Sequence, residues 1–129
     1  MKHLFIPYEL AVIAKEKGFN EPCLACYDSP TKISQNNADE GIDFNERVRN
    51  STLVQCITAP LYQQIVDWFR DKHNLMIEIG LEDSNLFDYI IGNMITKKVI
   101  KRNYLESNNL HKTYYEALEK AIEEAFKLI

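Results

Sequence analysis

The sequence predicts an α+β fold: an antiparallel sheet of about four or five strands carrying three helices, packed mainly on one face. Three observations lead there. Helical stripes with a period near 3.6 recur in three stretches, strict alternation begins at Leu75, and the connections between alternating stretches are too short for parallel crossovers. A chain of 129 residues with 46% hydrophobic and 26% charged residues has the length and mix of a single soluble domain spanning 1–129.

The first helix is expected over Pro7 to Lys17. Pro7 suits a first helical turn, where its missing N–H is no loss. Leu10, Ile13 and Ala14 share one face, Gly18 fits a left-handed cap, and Phe19 can fold back on the helix as a Schellman ending prefers. Glu21-Pro22 marks a boundary, and Cys23-Leu24-Ala25-Cys26-Tyr27 reads as a short strand ended by Asp28-Ser29-Pro30. Thr31 to Ser51 is polar, with no steady period among Ile33, Ile42, Phe44 and Val48, so a mobile loop is expected around 35–51. Thr52 to Ile57 returns to strand character.

The second helix is expected to be capped by Thr58 or Ala59, with Pro60 in its first turn. Leu61, Ile65, Trp68 and Phe69 make one stripe, and Asn74 ends the helix in a left-handed conformation. Beyond it, Leu75, Ile77, Ile79 and Leu81 face one way and Met76, Glu78 and Gly80 the other. Glu82-Asp83-Ser84-Asn85 is a turn, Phe87, Tyr89 and Ile91 alternate again, and a third strand runs from about Lys98 to Leu105. The last helix opens on Thr113-Tyr114-Tyr115-Glu116, a capping box, and buries Tyr114, Leu118, Ala121, Ile122, Ala125 and Ile129. Glu116–Lys120 and Glu123–Lys127 are pairs one turn apart.

Charge and motifs narrow the function classes. Fifteen basic against nineteen acidic residues give a net charge of -4, a balance that disfavours a protein made chiefly to grip nucleic acid. Three cysteines cannot pair completely within one chain, and reduced thiols in a cytoplasmic setting are expected. The apolar run from Leu4 to Ala14 is broken by Pro7 and Glu9 and followed by Lys15-Glu16-Lys17, which does not suit a signal peptide, and no run is long enough to span a membrane. Asn50-Ser51-Thr52 matches a glycosylation acceptor only by chance in that setting.

Cys23-Leu24-Ala25-Cys26 resembles a redox pair or half a zinc site. A redox pair needs a helix N-terminus, whereas these residues read as a strand on which positions three apart diverge. A zinc site needs a second pair of ligands, and only Cys56 and scattered histidines remain. Small buried hydrophobes is the simpler reading. Cys56, just before the second helix, has no base near it in sequence among His3, His73 and His111. His73, at the end of that helix, is favoured in its positive form by the helix dipole. Asp39, Glu40, Asp43 and Glu46 fail the calcium-loop spacing: with Gly41 sixth, Arg47 falls at the twelfth position. The glycines are too dispersed for a phosphate loop, and no hydrolase or metalloprotease motif is present. No catalytic, metal or cofactor site is expected.

Lys97, Lys98, Lys101 and Arg102 form the one basic cluster, with Tyr104 and Tyr89 as neighbouring stacking surfaces. Alternation sends Lys97 and Lys101 to one face and Lys98 and Arg102 to the other, and lysines also protect an edge strand from aggregation.

Gly18-Phe19-Asn20-Glu21-Pro22-Cys23, Cys56-Ile57-Thr58-Ala59-Pro60-Leu61-Tyr62-Gln63-Gln64 running on to Trp68-Phe69-Arg70-Asp71-Lys72-His73, and Thr113-Tyr114-Tyr115-Glu116-Ala117 together resemble a family of small proteins of unassigned activity from gut Bacteroidales and their phages or mobile elements. The stretch around Trp68-Phe69-Arg70 is the most specific part. Family members often lack a second cysteine at the Cys26 position, which weighs further against a redox pair. The resemblance implies an accessory protein of mobile DNA and supplies no catalytic residue.

The expected function is therefore a non-catalytic protein-binding or assembly module, with an unknown protein partner or a second copy in a homodimer. Met76, Tyr89, Tyr104, Tyr114 and Tyr115 are the candidate interface residues, since aromatics and Met are enriched at interfaces. The alternative is a nucleic-acid-associated accessory protein using the basic strand 97–102.

Overall fold

A computed structural model of the chain describes residues 2–35, 57–82, 85–102 and 110–129. The expected 35–51 loop, the acidic Asp39–Glu46 segment, Cys56 and Tyr104 lie almost wholly or wholly outside these. The class is α+β with three α-helices, as expected. The sheet is not. In place of one antiparallel sheet of four or five strands there are two three-stranded antiparallel sheets. The chain forms two compact units, Met1–Tyr62 and Gln63–Ile129.

In the first unit, α1 spans Tyr8–Glu16, with Pro7 as the residue before it rather than inside its first turn. Its ending follows the Schellman pattern. Gly18 takes φ 93°, Phe19 N–H donates to Ala14 C=O at 2.9 Å, and Gly18 N–H donates to Lys15 C=O at 3.1 Å. Phe19 is buried beneath that turn. The sheet has the order β2-β1-β3, from β1 (Ala25–Ser29), β2 (Lys32–Gln35) and β3 (Ile57–Ala59). Two sequence expectations are corrected. Asp28 and Ser29 continue the first strand, and the chain turns at Pro30-Thr31 into β2, which pairs Cys26 with Ser34 and Tyr27 with Ile33. Residues 57–59, expected in part as a helix cap, complete the sheet as β3, with Ala59 opposite Ala25. The N-terminal segment is stitched on by Ile6 N–H donating to Pro60 C=O at 3.0 Å and by Tyr27 Oη–H donating to Ile6 C=O at 2.6 Å. Burial, reinforced by the charge of Glu9, raises the pKa of the Tyr27 phenol.

In the second unit, α2 (Tyr62–His73) leads into β4 (Leu75–Leu81), β5 (Phe87–Asn93), β6 (Lys98–Arg102) and α3 (Tyr114–Phe126). The helix starts later than expected because Thr58 and Ala59 belong to β3. Asn74 ends it at φ 57°, as expected. The three strands are the expected meander in the order β4-β5-β6. Leu75, Ile77, Tyr89 and Ile91 are buried on the face that α3 covers. The helices contribute Ile65, Trp68 and Phe69 from α2 and Leu118, Ala121, Ile122, Ala125 and Phe126 from α3 to the unit's core. Phe69 and Phe126 meet with ring centroids 4.9 Å apart. The capping box forms with one variation. Glu116 N–H donates to Thr113 Oγ1 at 3.1 Å, but the Glu116 carboxylate accepts from Lys112 N–H, one residue before the cap. Tyr114, expected in the buried stripe, is 46% exposed.

Candidate interaction surface

The α3-covered face of the second sheet consumes one phase of the alternation; on the other phase Glu78 is exposed, Met76, Ile90 and Gly92 are half-buried, and Asp88 is buried. Cross-strand register sets the rows of this other phase: Met76 opposite Gly92 opposite Val99, then Glu78 opposite Ile90 opposite Arg102. Gly92 has no side chain, so a gap opens between Met76 on β4 and Val99 on β6. That gap is the floor of a hollow of about 290 Å³, lined by Met76, Glu78, Ile90, Gly92, Met94, Lys97, Lys98 and Val99. Its lining is chiefly apolar, with charge at its ends. Val99 is 54% exposed and Ile95, in the adjoining turn, 72%. Large aliphatic side chains in that state, grouped rather than scattered, mark contact surfaces.

A register irregularity shapes this surface. Ile91 pairs with Lys101 but Gly92 pairs with Val99, so Ile100 is an extra residue in β6. The bulge overturns the simple alternation of the basic cluster. Lys101 lies in line with Ile91 on the helix side, where its Nζ donates to Glu124 at 3.0 Å. Arg102 is half-buried in line with Ile90, and Lys97, at φ 60°, sits in the turn with Lys98 exposed beside it. The four basic residues therefore present no common face.

Glu124 is the centre of an ion cluster on α3. Lys127, Lys101 and Lys120 approach it at 2.9, 3.0 and 3.4 Å. Hydrogen bonding from Lys127 above all, with Lys101 next, holds its carboxyl down at about 2. This cluster ties β6 to α3.

The tyrosines divide. Tyr89 is buried at 2% on the helix-covered face, so it belongs to the core and not to an exposed interface. Tyr114 and Tyr115 are exposed at the start of α3, with ring centroids 5.6 Å apart in an edge-to-face contact. Of the expected interface residues that are described, only Met76 lines the hollow. Ile90, Gly92, Met94 and Val99 were missed. The signal that finds them is register: once the meander is paired, Gly92 must fall between Met76 and a β6 residue.

Cys23 is buried with its Sγ–H donating to Glu21 C=O at 3.4 Å, and Cys26 is half-buried. No group of three or more His, Cys, Asp or Glu that could hold a metal ion occurs among the described residues. His73 packs edge-to-face on Trp68 at 4.5 Å, and burial lowers its pKa, so desolvation outweighs the expected helix-dipole preference for the positive form. A second hollow of about 270 Å³, lined by His111, Glu116, Glu119, Lys120 and Glu123, has its lysine bonded to Glu123 at 3.1 Å. Among the described residues no helix is long and apolar enough to cross a membrane.

No protein-family model, curated protein or solved structure matches the chain.

Proposed function

We propose that this chain is a non-catalytic protein-binding or assembly module whose contact surface is the Met76–Gly92–Val99 region of the β4-β5-β6 sheet, on the face away from α3. The observation that carries the reading is the apolar hollow centred on Gly92, open between Met76 and Val99. The partly exposed apolar groups around that hollow gain free energy by being covered. The reading includes a cytoplasmic setting, in keeping with an odd number of cysteines that cannot all pair within one chain. The family resemblance adds the role of an accessory to a phage or other mobile element.

A photo-crosslinking side chain at Val99 tests the surface. Discrete protein adducts from position 99, and none from Glu119 on α3, are expected in cells producing the chain. Absence of protein adducts at position 99 overturns the reading. Nucleic-acid association along 97–102 has weaker support, because Lys101 is committed to Glu124 and Arg102 is half-buried. It would require binding to an oligonucleotide that weakens steeply with salt and survives Val99→Glu.

A further inference from the structure

We draw no further inference here: the strongest candidate, the apolar hollow over Gly92 between Met76 and Val99 on the second sheet, carries none because it belongs to the contact surface already described and nothing in the structure shows what covers it.

Discussion

Two side chains show how local chemistry is decided by neighbours rather than by residue type. Gly80 pairs with Asp88 across β4 and β5, and a Cβ at Gly80 would lie 2.4 Å from Asp88 Oδ1. Asp88 is only 3% exposed, so it has little room to swing away. Gly80→Ala is expected to destabilise the protein by about 1–3 kcal/mol, measured as a lowered urea midpoint with unchanged slope. Glu124 shows the electrostatic case. Its carboxyl is held near 2 in the folded chain, against an ordinary value of 4.5. The folded state favours the charged form, so its contribution is complete above about pH 4.5 and is lost as pH falls towards 2. Thermal midpoints recorded across that interval should drop steeply in the native chain, and less steeply in Glu124→Gln.

At the scale of elements, legibility follows how local the determining contacts are. The Gly18 ending of α1 and the Thr113 cap of α3 were readable because each is set within six residues. Thr113→Ala should cost about 0.5–2 kcal/mol, while Thr113→Ser should cost much less; chemical denaturation of the two variants checks this. The meander was readable from alternation and short connections. β2 was not, because Lys32-Ile33-Ser34-Gln35 is short and polar and gains strand form only by pairing with β1. The start of α2 was misplaced because Pro60 suits a first helical turn as well as the end of a strand, and only pairing of Ala59 with Ala25 distinguishes them. The face assignment of the basic residues failed for a single reason, the extra Ile100. A bulge changes every side assignment beyond it, and nothing in Val99-Ile100-Lys101 announces one.

At the scale of the whole molecule, the class was legible and the division into two sheets was not. Helical periods give the three helices and alternation gives the meander, but which strands share a sheet depends on pairings between distant residues such as Cys26 and Thr58. Each unit has its own sheet and its own aromatic centre, Phe19 in the first and Phe69 with Phe126 in the second. Phe19→Ala removes about 3–5 kcal/mol from its surroundings. Amide hydrogen exchange is expected to speed up in β1 and β3 more than in β4 and β5. The second sheet also separates two selection pressures: substitutions on its α3 side and at Gly80 or Asp88 should act on stability, and those at Met76, Val99 and Glu78 chiefly on association.

The edge-to-face contact of His73 with Trp68 gives the protein an optical gauge of its own. Trp68 is the sole indole and is only 6% exposed, so its emission reports a single, buried place. An imidazolium quenches a neighbouring indole more strongly than a neutral imidazole does. Because burial delays His73 protonation, the dimming should set in below the ordinary histidine value of 6.5 and disappear in His73→Gln.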